Sequence, residues 1–157
     1  MSASYLIVVG VDGSPGGRRA LEWAAHEADA RGGAVQAMTA WSWDGVENGP
    51  ISVTMPQQAE ALARETLDRE IHALIDRSGS HLPIAAEVVE GRPASVLAEA
   101  GCKADLLVLG SHGHSRVRHT VLGSVSEECI RRAACPVVVI PVPVKAPESP
   151  VEPASRR

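Results

Sequence analysis

The chain has 157 residues, 45% of them apolar and 22% charged, which is the length and balance of one globular domain and not of a disordered segment. Aromatic residues make up 3% and Phe is absent, so Val, Leu, Ile and Ala must build the core. A net charge of -4 argues against a general nucleic-acid binder. No apolar run approaches the roughly 20 residues that span a bilayer, so no membrane partner is expected.

Tyr5 to Val11 is a continuous apolar run rich in β-branched residues, which predicts a strand buried on both faces. No Lys or Arg precedes Arg18, so the run lacks the charged flank of a signal peptide. Cys102, Cys129 and Cys135 are an odd set without CxxC spacing, which suits a reducing compartment; the expected address is cytoplasmic. Ser14 before Pro15 is an N-cap and N1 pair, predicting a helix from Pro15 to Arg31 with Ala20, Leu21, Ala24, Ala25 and Ala28 on one stripe. Gly32-Gly33 ends it as a left-handed cap.

Ala34 to Trp41 is the second predicted strand, and Ser42 to Pro56 is a loop without period. From Gln57 to Ser78 the apolar positions Ala59, Leu62, Ala63, Thr66, Leu67, Ile71, Leu74 and Ile75 keep helical spacing. Ile84 to Val89 reads as the third strand, and Gly91-Arg92-Pro93 opens a short helix holding Val96, Leu97 and Ala100. Asp105 to Gly110 is the fourth strand, followed by a Gly- and His-rich loop to about Gly123 and a helix from Ser124 to Ala134. Pro136 to Pro141 is the fifth strand; proline at both ends places it at a sheet edge. The expected division is a folded domain over 1–141 and a disordered Pro-rich tail over 142–157.

Strands alternating with helices, each strand apolar on both faces, predict an α/β fold with a parallel sheet covered on both sides. Ligands bind such sheets beyond the carboxyl ends of the strands, at the topological switch point. If the first and fourth strands are neighbours, the Gly-rich turns that follow them converge on one crevice.

The strongest chemical pattern is Gly110-Ser111-His112-Gly113, nine residues, then Gly123-Ser124. Glycines at a strand's end permit positive φ and let backbone amides approach an anion. Gly123-Ser124 stands where a helix begins, so unpaired amides and the positive dipole end offer a second grip on a polyphosphate. His114, Arg116 and Arg118 lie between the two and add positive charge. A second reading stands beside this one: Ser124-Val125-Ser126-Glu127 is also a capping box with Ser124 as N-cap. Likewise Gly110 and Gly113 are open to a plain turning role.

Asp12 closes the first strand, either as an Asx-turn or as a carboxylate that accepts from ribose hydroxyls or holds a divalent ion. Trp41 and Trp43 either flank an adenine or cover the core. His112, His114 and His119 lack a fourth ligand at zinc spacing. Cys129 and Cys135 read as small buried apolar residues and not as nucleophiles. There is no Gly-x-Ser-x-Gly elbow, no His-Glu-x-x-His and no Walker Gly-Lys-Ser/Thr, so binding is better supported than turnover.

These residues resemble the ATP-binding branch of the universal stress protein family. The family's pattern, Gly-x-x-Gly, nine residues, Gly-Ser/Thr, is met at Gly110, Gly113, Gly123 and Ser124, and Ile7 to Ser14 looks like its first strand and turn. The resemblance covers roughly residues 3–141. It implies a Rossmann-like five-stranded parallel sheet in the order 3-2-1-4-5, and a homodimer joined through the last strands. It further implies that Val11 and Asp12 meet the ribose and base, with Ala40 offering backbone to the adenine. Leu109, Gly110, His112, Gly113, Gly123, Ser124, Val125 and Ser126 would line the phosphates, with Mg2+ beside them at Asp12. The expected function is an ATP-binding stress-response factor whose occupancy alters a contact with an unknown protein partner or its own assembly. The alternatives are a slow ATPase or autokinase, and a binder of another adenine nucleotide such as cyclic AMP.

Overall fold

In the computed structural model, described over residues 4–42, 55–79, 81–113 and 122–142, strands and helices alternate along the chain. β1 (Leu6–Gly10), α1 (Pro15–Arg31), β2 (Ala34–Trp41) and α2 (Pro56–Ser78) come first. β3 (Ile84–Glu90), α3 (Pro93–Gly101), β4 (Leu106–Gly110), α4 (Ser124–Arg132) and β5 (Val137–Ile140) follow. The strands form one parallel sheet in the order β3-β2-β1-β4-β5, with register Val8↔Gln36 and Val8↔Leu107 across the centre. The order implied by the resemblance is the one observed, and β5 sits at an edge as its prolines predict. The expected loop at 42–56, apart from Ser42, Met55 and Pro56, and the tail beyond Val142 lie outside the described residues.

The central strands divide their side chains between two helical layers, as a period of two requires. Ile7, Val9, Leu106 and Val108 face α1 and α2, while Val8, Leu107 and Leu109 face α3 and α4. Local chemistry frames α1: Ser14 Oγ accepts from Gly17 N at 3.1 Å, Pro15 opens the helix, and Gly32 closes it at φ +65°. Its predicted stripe is buried throughout. On α2 the buried apolar residues are Leu67, Ile71 and Leu74, but Leu62 is 61% exposed, so the predicted stripe is wider than the face the sheet covers.

The expectation that every strand is apolar on both faces fails at β3. Ala85, Ala86 and Glu87 are exposed, because at the sheet's edge the helical layers, chiefly α2, cover β3 only in part. Glu70 lies in the buried stripe of α2, only 3% exposed, and Arg18 of α1 reaches it with two bonds of 2.8 and 3.2 Å. Two separate nitrogens on two separate oxygens make the pair bidentate, and it ties the two helices of one layer together.

Candidate functional site

β2 and β3 extend from one side of β1, and β4 and β5 from the other, so the switch point lies between β1 and β4. A cavity of about 590 Å³ opens there, beyond the strands' carboxyl ends.

The first wall grows out of β1. Val11 N donates to Met38 O at 2.8 Å and Thr39 Oγ1 donates to Val11 O at 2.8 Å, which fixes the strand's end against β2. Gly13 then turns the chain at φ +79°, a region that L side chains rarely adopt. Asp12 Oδ1 accepts from Ser14 N at 2.9 Å and from the Ser14 hydroxyl, so the Asx-turn expected for this residue is present. That turn orients the carboxylate while leaving Asp12 exposed on the cavity wall.

The second wall is built where β4 meets α4. Ser111 is buried and held from both ends: its N donates to Ile140 O at 2.9 Å, and its Oγ accepts from Val142 N at 3.2 Å. Val142 is therefore bound to the domain, one residue past the expected boundary. His112 Nδ1 lies 3.1 Å from Ser111 Oγ. Gly123 N donates to Ser111 O at 2.6 Å, and Ser126 Oγ donates to Gly110 O at 2.6 Å.

Four sequence expectations change here. Gly123, not Ser124, is the N-cap of α4, and Glu127 pairs with Arg131 instead of reaching back, so the capping-box reading of Ser124 is lost. The Gly123 amide is committed to Ser111, and the first helical bond runs from Glu127 N to Gly123 O. The amides that precede the helical ladder are those of Ser124, Val125 and Ser126. The glycines of the motif do not serve by positive φ: among the described residues only Gly13, Gly32, Gly79 and Gly91 adopt it. They serve by close approach instead, since a Cβ on Gly113 would stand 2.8 Å from Asp12 Oδ2 and one on Gly123 would stand 3.2 Å from Ser111 O. Finally, Trp41 does not line the cavity; Met38 and Ala40 do, and the next residue along the strand points to the opposite face.

The residues that the resemblance assigns to the ligand line this one cavity: Val11 and Asp12 just after β1, Ala40 from β2, Leu109, Gly110, His112 and Gly113 from β4 and its turn, and Gly123 to Ser126 from the start of α4. The sequence reading missed Met38, and with it Pro93 and Leu97 of α3, which complete an apolar wall opposite the polar one. The available signal was the short apolar helix that Gly91-Arg92-Pro93 opens, which contains Leu97. Trp43, His114, Arg116, Arg118 and His119 lie outside the described residues. Cys129 is fully buried, and that burial pushes its thiol up to about 11, which makes it a poor nucleophile at neutral pH. A second hollow, about 700 Å³ and lined in part by His26, Asp29 and His81, lies at the opposite end of the strands and contains none of the nominated residues.

A family model described as the universal stress protein family matches residues 6–141. A universal stress protein of Mycobacterium bovis is 32% identical over 171 residues, covering 92% of this chain and 51% of the relative. The chain spans about half the length of the curated relatives it matches. Among solved structures, a universal stress protein in complex with cAMP is similar at 28% identity and TM-score 0.65, over 88% of this chain and 98% of that one. The structure of hypothetical protein MJ0577 reaches TM-score 0.73 at 17% identity, over 90% and 98% of the two chains, a likeness of fold. No helix among the described residues is long and apolar enough to cross a membrane.

Proposed function

The chain belongs to the universal stress protein family, and from that premise we propose that it binds an adenine nucleotide in the crevice over β1 and β4, with ATP and Mg2+ as the ligand pair. The observation that carries this reading is the convergence of the β1 turn, the β4 turn and the first turn of α4 on one cavity. Met38, Ala40, Pro93 and Leu97 offer an apolar wall suited to a purine, and the amides of Ser124, Val125 and Ser126 suit phosphate oxygens. Asp12 is a hard oxygen donor at the same wall, which fits Mg2+ held by one carboxylate together with phosphates and water. The metal would supply charge neutralisation at the phosphates. Ser126 contributes its amide, because its hydroxyl already donates to Gly110 O.

Occupancy then biases a contact with another protein or with a second copy, in the cytoplasm. β5 is the edge suited to self-association: Val137 to Ile140 are half-buried, and Ile130 of α4 is 47% exposed. Cyclic AMP is the second reading, favoured by the similar protein whose structure is a complex with cAMP.

Thermal unfolding with and without Mg-ATP tests the proposal. A ligand at 100 times its dissociation constant adds about 2.7 kcal/mol. In a domain of this size that raises the midpoint by roughly 5–10 °C. ATP, AMP and cyclic AMP in parallel rank the ligands. No shift with any of them at millimolar concentration would refute nucleotide binding.

A further inference from the structure

β2 outruns β1 at the end that faces the cavity. Its pairing with β1 stops at Gly10↔Met38, while its pairing with β3 continues through Thr39↔Val88, Ala40↔Val89 and Trp41↔Glu90. In a parallel ladder the N–H and C=O of one residue point to the same neighbour, and successive residues alternate between neighbours. Met38 O accepts from Val11 N at 2.8 Å on the β1 side, and Trp41 O accepts from Gly91 N at 2.8 Å on the β3 side. Ala40 therefore turns its N–H and C=O toward β1, just beyond the last β1–β2 pair and on the cavity wall.

One more rung would be a bond from Ala40 N to Val11 O, and the register ends before it. Instead the buried Thr39 hydroxyl donates to Val11 O at 2.8 Å. Thr39 does not line the cavity, because its side chain leaves the opposite face of the sheet from those of Met38 and Ala40. A β-branched residue suits this strand, and Val would serve that purpose equally. What the threonine adds is a donor, and its acceptor is the one carbonyl on which the next rung would close.

Resting on the nucleotide reading above, we propose that Thr39 is a positioning residue: its hydroxyl occupies the Val11 carbonyl, halts the β1–β2 ladder one rung short, and keeps the Ala40 backbone turned to the base of the nucleotide. Recognition of the base then depends on a side chain that never meets it. Without the hydroxyl, the carbonyl of Val11, a residue only 3% exposed, loses that donor. A buried carbonyl stripped of its partner is costly, and the donor that the parallel register places next is Ala40 N. The strands zip by one rung, and the base loses its backbone donor.

Amide hydrogen exchange without nucleotide tests the ladder, and calorimetric titration with Mg-ATP and Mg-ADP tests the consequence. Three proteins are compared: wild type, Thr39→Val, which keeps the shape, and Thr39→Ser, which keeps the hydroxyl. In Thr39→Val the Ala40 amide exchanges at least about tenfold more slowly than in wild type, because a ladder bond now protects it. A variant that is merely loosened would exchange faster there, so the sign separates the two. Thr39→Val also binds ATP and ADP about threefold to tenfold more weakly, by the same factor, because the two share the base. Thr39→Ser matches wild type in exchange and in affinity. Unchanged or faster exchange at Ala40 in Thr39→Val overturns the proposal and leaves nucleotide binding intact. So does unchanged affinity, a loss confined to ATP, or a Thr39→Ser variant that behaves as Thr39→Val. If wild type binds neither nucleotide, the proposed function falls and this role of Thr39 with it.

Discussion

Gly110 and Gly16 meet backbone against backbone: a Cβ on Gly110 would stand 2.7 Å from the carbonyl carbon of Gly16 and 2.8 Å from its oxygen. The converse crowding holds for Gly16, where a Cβ would meet His112 O at 2.6 Å. The first turn of α1 and the end of β4 therefore touch with no room for a side chain, and Gly110 at this contact lines the crevice. Gly110→Ala must push two main chains apart, which costs about 1–3 kcal/mol. The urea midpoint of the variant falls accordingly, with its m-value unchanged; an unchanged midpoint would mean the two backbones have slack.

Gly113 is exposed, and the nearest atom to its added Cβ is the end of the Asp12 side chain at 2.8 Å, which can swing aside. Gly113→Val thus keeps the fold to within about 1 kcal/mol, as surface substitutions generally do. The displaced carboxylate and the added bulk both stand in the cavity, so nucleotide affinity falls by at least about tenfold, roughly 1.4 kcal/mol. Titration and thermal unfolding on the same sample check both halves.

Ser124 and Ser126 have the same side chain two residues apart and opposite roles. The Ser126 hydroxyl is buried and donates to Gly110 O, so Ser126→Ala lowers stability by about 1 kcal/mol. Ser124 is exposed and makes no capping bond, so Ser124→Ala changes stability by less than about 0.5 kcal/mol. Affinity for Mg-ATP should move the other way, weakening several-fold in Ser124→Ala and little in Ser126→Ala. Equal losses of stability would restore Ser124 as a cap.

The Cys129 thiol predicts an alkaline loss of stability. Burial, then the charge of Glu128, pushes its pKa from 9.0 to about 11 against the opposing pull of Arg132. As pH rises the unfolded chain gives up this proton first, so the folded state loses ground between about pH 9 and 11 and is unaffected below that window. The gap of about two units corresponds to about 2–3 kcal/mol. Urea midpoints at about pH 8 and pH 10.5 should fall further in wild type than in Cys129→Ala; parallel slopes would contradict the burial argument. In the folded protein at pH 8, alkylation should reach the exposed Cys102 and spare Cys129.

Local grammar was legible in the sequence wherever neighbouring residues decide the outcome. Ser14 with Pro15 and Gly32 after Arg31 bracket α1 because caps act within one turn. The Arg18–Glu70 pair spans 52 residues, and nothing local announces its partner. The signal that was available is an acid at position 70 in register with Leu67, Ile71 and Leu74 on the buried face of α2. The motif glycines line the cavity, but without the positive φ expected of them. Positive φ and close approach leave the same letter in a sequence, and only the atoms opposite Gly110 and Gly113 distinguish them. The cap of α4 was ambiguous for a similar cause, since Gly123 and Ser124 are both acceptable N-caps. The apolar wall from α3 depended on how that helix crosses the sheet's end, a tertiary fact.

The most direct test of nucleotide binding at the switch point is an amide chemical-shift titration with Mg-ATP. Binding there gives saturable shifts concentrated at Gly113, Ser124, Val125 and Ser126, with Ala40 responding to the base. Shifts concentrated instead around His26 and His81, in the hollow at the far end of the strands, would contradict it, as would a spectrum that does not move.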